Sequence, residues 1–469
     1  MKKSILVLSI LISFSVSGTF AQTDTINFSD YKLPDLKRQS LDFMFDLSNL
    51  YKNKNTKDSL LNNSISSLTH LTNSFNVKYN YYKNTRKKQI QYSAALFSNN
   101  SFLFKKDNLI DSLSNKISNN NNYHSLTSGY FSNSNRFYFS KNYFFGTYLY
   151  LTSQYSYLKS KTLTNEDSIN IESKIRSSAL STQISPTISI GKGRIEPVTD
   201  IIQSMYIFKE LEKKGLIIKN PNKKDINKFA ELISKIKNER FFDSRLKQMY
   251  ELEKIDSFLI SNNFISKQDI KYFTVLNDNW LYAGNNNRVS GTRTSINFSP
   301  VYWDNHNKQL YSDSSKYIRN QFFNIQSKLS FYTSKPLSLY WHRTISADVG
   351  YDSPEILNNN DSILSHSFYQ DIAVSFSVGY DYYPNTRTYF NLLFSAGYNN
   401  NSIHNLFPVH NKSINSEIDL SAYYYLSPRL RLSLNGKTYY NYLNNTDSEN
   451  LTSGIFTFTV YGGLEYSLF

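Results

Sequence analysis

A two-residue alternation of apolar and polar positions recurs through most of this chain. In Ser453–Phe469, Phe456, Phe458, Val460, Leu464, Tyr466 and Leu468 share one parity, while Thr457, Thr459, Glu465 and Ser467 share the other. That is the period of a pleated strand with one greasy face. Phe75, Val77, Tyr79 and Tyr81 alternate with polar neighbours in the same way, as do Ile372, Val374, Phe376 and Val378. Strands are predicted at 66–82, 88–104, 123–132, 136–159 and 171–190, then at 287–303, 318–333, 337–351, 367–383, 387–398, 413–426, 429–442 and 453–468. The stretch 39–50 reads two ways. Leu41, Phe43, Phe45 and Leu47 alternate as in a strand, whereas Phe43, Leu47 and Leu50 also share a helix face.

Long polar connections (Lys52–Asn63, Lys105–Asn122, Ser160–Asn170, Asp304–Lys316, Asp352–Ser365, Asn399–Lys412, Asn444–Asn450) alternate with short, turn-rich ones at Lys83–Lys87, Ser132–Asn135, 334–336, 383–385 and 427–429. Strict alternation of long and short requires 39–50 to be the first strand, which brings the count to about 14. Between the two strand runs the period changes to 3.6. From Val198 to about Trp280 four helices are predicted. The first carries Ile201, Met205 and Phe208 up to Gly215, and the second Ile226, Phe229, Ile233 and Ile236. The third, from about Arg240 to Leu259, presents Phe242, Leu246, Met249, Leu252 and Ile255; the fourth opens on a Ser266/Asp269 capping box. Gly191–Pro197 reads as a flexible exit from the strands into this insert, its Gly-x-Gly being too short for a phosphate loop.

A greasy strand at the chain's end must pair with an earlier one or leave its amides open, and the first strand is the simplest partner. The Ser453–Phe469 pattern resembles the closing strand of bacterial outer-membrane β-barrels, whose last residue is typically Phe. The resemblance, to barrels of the kind common in Bacteroidota, covers nearly the whole chain. It implies an all-β transmembrane antiparallel barrel of about 14 strands with a helical periplasmic insert, placed in the outer membrane by the barrel insertion machinery. One misfit stands out: Phe469 is out of phase with Leu468. Either Gly462-Gly463 hosts a β-bulge or Phe469 caps the edge beyond the last pair.

The N-terminus agrees with that location. Lys2-Lys3, an apolar run from Ile5 to Val16 and small residues at Thr19 and Ala21 read as a signal peptide over 1–21, implying Sec export. The remaining organisation is a lead-in (22–38), a first barrel part (39–197), the insert (198–280) and a second barrel part (281–469). No later run of 18 apolar residues suits a helical span, which leaves a closed barrel as the membrane-compatible option. With 38 Tyr and 33 Phe against 3 Trp and a mean hydropathy of -0.48, the composition suits alternating lipid-facing and water-facing positions with aromatic girdles. A soluble β-sandwich or propeller is the rival. Zero cysteines exclude disulfides and thiolate chemistry.

The net charge of +15 is spread over loops, so anionic lipid headgroups or surface polysaccharide are more natural partners than nucleic acid, which is not expected. Arg343, Asp348 and Arg431 fall inside predicted spans, where Arg costs about 2–4 kcal/mol at the lipid midplane. They are expected in the lumen, either tuning solutes or pairing with one another. Arg240, Phe241 and Arg245 are the candidates for docking a periplasmic protein or peptidoglycan, although Phe241 or Phe242 as core is the alternative. Asp304 and His306 could form a dyad at the outer rim. No G-x-S-x-G, H-E-x-x-H or calcium loop appears, so neither enzyme activity nor a metal or cofactor is expected. The function read from sequence is a pore for small solutes, or an anchor acting through its insert.

Overall fold

The structure, a computed structural model, describes Phe28 and residues 31–466 apart from short breaks at 58–62, 111–114, 167–168, 240–243, 266–267, 285–286, 312–313, 361–362, 405–408, 428–429 and 446–451. The expected signal peptide, Ser266 and Phe469 lie outside these residues. Strands β1 (Leu36–Lys57), β2 (Asn63–Asn84), β3 (Lys88–Ile110), β4 (Asn115–Tyr138), β5 (Tyr143–Glu166) and β6 (Ile169–Pro197) come first. Helices α1 (Thr199–Lys213), α2 (Lys223–Ile236), α3 (Ser244–Ser261) and α4 (Ile270–Ala283) follow. The second run is β7 (Val289–Leu310), β8 (Ser315–Pro336), β9 (Trp341–Asn360), β10 (Ile363–Tyr382), β11 (Thr388–His404), β12 (Val409–Ser427), β13 (Leu430–Asn445) and β14 (Thr452–Tyr466).

All fourteen strands form one antiparallel sheet in chain order, the wall of an up-and-down barrel with a helical insert between its sixth and seventh strands. Residues 39–50 are strand. Among the described residues no ladder joins β14 to β1. Both faces of these edges are bare: Phe43 and Met44 are 67% and 57% exposed on β1, and Phe456 and Tyr461 are 69% and 61% exposed on β14.

Several sequence expectations need correction. Ser132–Asn135 is no turn but lies within β4, near its end, and the chain turns instead through a 3₁₀ segment at Ser140–Asn142. The cause is that Ser132 and Ser134 are small polar positions on the inner face, which imitate a turn signal. The long polar connections are largely strand as well, since Lys105–Asn122 supplies the paired ends of β3 and β4 around the break at 111–114. Backbone pairing continues past the apolar belt, where water can solvate the side chains.

The closing strand carries no bulge at Gly462-Gly463. Gly462 pairs with Leu434, Gly463 with Ser433 and Leu464 with Leu432 in unbroken register. Gly191–Pro197 is not a flexible exit either, because β6 stays paired with β7 to Pro197↔Val289. Gly193 (φ 101°) and Gly291 (φ 137°) occupy backbone that L side chains rarely adopt. A Cβ on Gly191 would meet the buried Phe144 ring at 2.6 Å. These glycines let backbones and a ring approach closely, which demands rigidity.

The insert is a compact helical unit with its own core. Phe229 packs on Phe208 at 5.2 Å and stacks on Phe258 at 4.9 Å, and Ile207, Leu211, Ile233, Ile255 and Leu259 are fully buried. Part of the lead-in joins that core, since Phe28, Tyr31 and Leu33 are buried in it. Asn222 and Asp225 make a reciprocal capping box on α2. On α4 the cap is Asp269 itself, accepting from the Tyr272 N–H at 2.9 Å. The apolar face of α3 is only partly used: Ile255 and Leu259 are buried, whereas Leu246 and Met249 are more than half exposed.

Candidate functional site: a polar lumen and its cap

The inner and outer faces of the sheet differ in kind. On β6 the exposed positions run Leu180, Thr182, Ile184, Pro186, Ile188 and Ile190, and the alternate, less exposed positions run Ser181, Gln183, Ser185, Thr187 and Ser189. Neighbouring strands keep the phase, with Ile190↔Ile296 and Ile296↔Leu329 outside and Ser189↔Asn297 inside. Further round, Ser346 pairs with Ser377 and Ser377 with Ser395 on the inner face, while Val349, Val374, Phe390 and Leu392 stay exposed on the outer one. Inner hydroxyls and amides bond across strands: Thr187 to Ser299 at 2.6 Å, Ser346 to Ser377 at 2.7 Å, and Asn297 Nδ2 to Ser330 at 3.3 Å.

The insert lies across one end of this wall, where the short turns gather. Its neck is a clasp in which the Val198 N–H donates to the Arg288 carbonyl at 2.8 Å and the Arg288 N–H donates to Thr199 Oγ1 at 3.0 Å. The buried Arg288 side chain then reaches the β8–β9 turn. It donates to the carbonyls of Leu339 (2.6 Å), Ser338 (2.9 Å) and Trp341 (3.0 Å) and sits 4.7 Å over the Tyr383 ring. Tyr206 of α1 donates its hydroxyl to the carbonyls of Leu339 and Tyr383, joining the β8–β9 and β10–β11 turns. Arg387, next to β11, pairs with Asp278 of α4 and lies 4.5 Å over Tyr282.

On the other side, Asp200 in the first turn of α1, where a helix favours negative charge, takes Lys237 at 3.1 Å and faces Arg38 of β1 at 3.7 Å. Arg38 also donates to Asn238 at 2.7 Å. Burial lowers the Lys237 pKa, with Asp200 opposing the shift. Burial likewise raises the Tyr206 pKa. Arg194 spans β6 to the β2–β3 turn, donating to Asn84 Oδ1 (2.8 Å) and to the Thr85 and Arg86 carbonyls. Glu196 holds Arg194 at 2.8 Å and Arg86 at 3.2 Å, and accepts the Leu33 N–H. The cap is therefore fixed to the β8–β9 and β10–β11 turns on one side and to Arg38 of β1 on the other.

Of the expected lumen residues, two face inward. Asp348 pairs with Lys328 at 3.2 Å, and Arg431 lies 5.3 Å over the Tyr423 ring and 5.9 Å over Tyr425. Arg343 does not face inward. His342, whose Nε2 is 2.7 Å from Ser334 Oγ, and Thr344, whose hydroxyl is 3.3 Å from it, fix the inner phase. Arg343 therefore takes the outer face at the short-turn end. Only two residues from the strand's start, it sits where an outward Arg costs about 0–1 kcal/mol. These three residues thus form no common site. Arg240 and Phe241 lie outside the described residues, as does the side chain of Arg245.

Asp304 and His306 do meet, at 3.1 Å, on the outer face. Arg319 takes both Asp304 oxygens (3.1 and 2.8 Å), and Tyr317 is 2.7 Å from His306 Nδ1. Among the described residues no group of three or more metal-ligating side chains occurs. Sequence reasoning missed the cap anchors Arg288 and Tyr206 and the brace Arg194 between β6 and the β2–β3 turn. Their main partners are backbone carbonyls of turns 50 to 177 residues away, which leave no motif.

No family model matches the chain, and no curated protein matches it. Solved structures to which the chain is similar include the β domain of the Bordetella autotransporter BrkA (5% identity, 92% of this chain and 99% of that one, TM-score 0.20). Another is the siderophore receptor PirA from Acinetobacter baumannii (8% identity, 93% of this chain and 75% of that one, TM-score 0.17). At such scores superposition carries no argument, and the architecture rests on the chain's own strand ladders.

Proposed function

We propose that this chain is a non-enzymatic outer-membrane barrel that passes small solutes through a polar lumen whose periplasmic mouth is covered by the helical cap. The observation that carries the reading is the two-faced sheet: Ile, Leu, Val and Phe exposed without a partner outside, and Ser, Thr and Asn inside. An exposed apolar belt of this extent has no place in water and matches the hydrocarbon layer. Short turns and cap share one end, which supports reading that end as the periplasmic one. Export by the Sec route and assembly by the barrel insertion machinery belong to this reading. Its test is planar-bilayer recording of the purified, folded protein: conductance steps support it, and a folded protein without steps overturns it.

An anchoring role through the cap is the second reading. Its support is apolar surface left open there: Leu246 (52%), Met249 (54%) and Ile270 (87%). A periplasmic protein that co-purifies with the wild type and is lost from Leu246→Glu/Met249→Glu, with conductance intact, would favour it.

A further inference from the structure

Arg136 of β4 and Arg293 of β7 occupy inner-face positions just above the cap. Arg136 pairs with Gly146, Gly146 with Ser189 and Ser189 with Asn297, so one inner row runs from Arg136 to β7. Arg293 stands four residues along β7 from Asn297, paired with Gly193. Between the two guanidinium groups the wall carries small residues at Gly146, Ser189, Gly191, Gly193 and Ser295 together with two rings, Phe144 against Gly191 and Tyr138 beside Phe144 at 5.7 Å. A cavity of about 400 Å³ opens at the Arg136 row, lined by Ser132, Ser134, Arg136, Thr187, Ser189 and Asn297.

Neither arginine is neutralised. Among the described residues neither has an ion-pair partner, although each is only half exposed and they repel one another. The nearby Glu196 is already committed to Arg194 and Arg86. On the opposite wall, Asp348 on β9 and Glu417 on β12 are held by Lys328 and Lys437 at 3.2 and 2.8 Å, and Asp381 on β10 accepts from Tyr389 and Asn391 at 2.9 and 2.7 Å. Two unpaired forked donors beside a bed of hydroxyls suit a tetrahedral or planar oxyanion, which accepts from both kinds of group.

We infer that Arg136 and Arg293 form a binding subsite for small oxyanion-bearing solutes at the periplasmic end of the lumen. This deepens the pore reading by naming the class of solute and rests on that reading for the route in. The probe is inorganic phosphate. Titrated into the full-length folded protein, it should show 31P line broadening that is at least tenfold weaker in Arg136→Gln/Arg293→Gln and unchanged in Lys224→Gln/Lys228→Gln, which removes equal charge from the cap surface. Arg136→Gln alone, with an intermediate loss, serves if the double variant does not fold. Equal broadening in the wild type and the lumen variants, or none in the wild type, overturns the subsite. Bilayer recording separates the two claims. Anion selectivity that falls in the double variant supports the subsite, conductance with unaltered selectivity opposes it, and absence of conductance with phosphate binding intact overturns the pore alone.

Discussion

Replacing Arg288 by Met tests whether the cap is held to the barrel by the contacts described. Met keeps most of the buried volume and removes every donor. Three charge-assisted bonds at 2.6, 2.9 and 3.0 Å disappear, each worth about 1.5–3 kcal/mol. Two of the carbonyls keep another partner: Leu339 O still accepts from Tyr206 at 3.2 Å, and Trp341 O from the N–H groups of Leu337 and Ser338. Only Ser338 O loses its cap-side donor outright, and the variant is relieved of a buried guanidinium whose charge burial disfavours, its pKa being lowered. These offsets bring the net loss to about 2 kcal/mol, roughly a 30-fold rise in cap opening at 1.4 kcal/mol per tenfold. Hydrogen exchange on α1 and α4 amides reads that quantity directly. Adding Tyr206→Phe strips Leu339 O of its last side-chain donor, so the double variant should lose more than the sum of the singles. Protection on α1 within threefold of the wild type in Arg288→Met would refute the tether.

Gly193→Ala or Gly291→Ala should destabilise the β6–β7 neck by well over the ~1 kcal/mol of an unfavourable φ, because the added Cβ falls 1.9 Å from Thr292 O or 2.0 Å from Arg194 O; thermal melts of the folded barrel report it. Alkaline titration should melt the cap before the strands. Burial raises the pKa of Tyr31, Tyr206 and Tyr272 above their ordinary 10.0, so the folded state keeps protons the unfolded state releases, and stability present below pH 10 falls as pH rises further. Lys237, lowered from 10.5 by burial, acts with the opposite sign up to that value, so helical circular dichroism should drop above about pH 10.5. A rise in helix stability there would contradict the burial of these hydroxyls. Paired cysteines across β1 and β14 in this cysteine-free chain should crosslink in lipid, since open strand edges cost several kcal/mol per unsatisfied group in a bilayer; failure at every register would mean an open seam.

Strand identity was legible because exposed apolar and less exposed polar positions alternate so regularly, as along Leu180–Ile190. Boundaries were not legible, since Ser132 and Ser134 line the lumen with residues that elsewhere mark turns. Asp348 and Arg431 stand at inner positions and Arg343 at an outer one near the strand's start, where position along the strand, not charge, decides the cost. The cap's helices followed from their 3.6-residue period. Its docking did not, because Arg288 and Tyr206 spend their donors on distant carbonyls, and a carbonyl has no residue type to recognise. Gly191 and Gly193 looked like flexibility, yet they serve close approach to Phe144 and Thr292.

The central claim is a polar lumen crossing the membrane beneath a tethered cap. Single-channel recording of wild type and Arg288→Met side by side addresses it most directly. The account predicts steps in both, with longer or larger openings once the tether is cut. Folded protein that gives no steps in either form would contradict it.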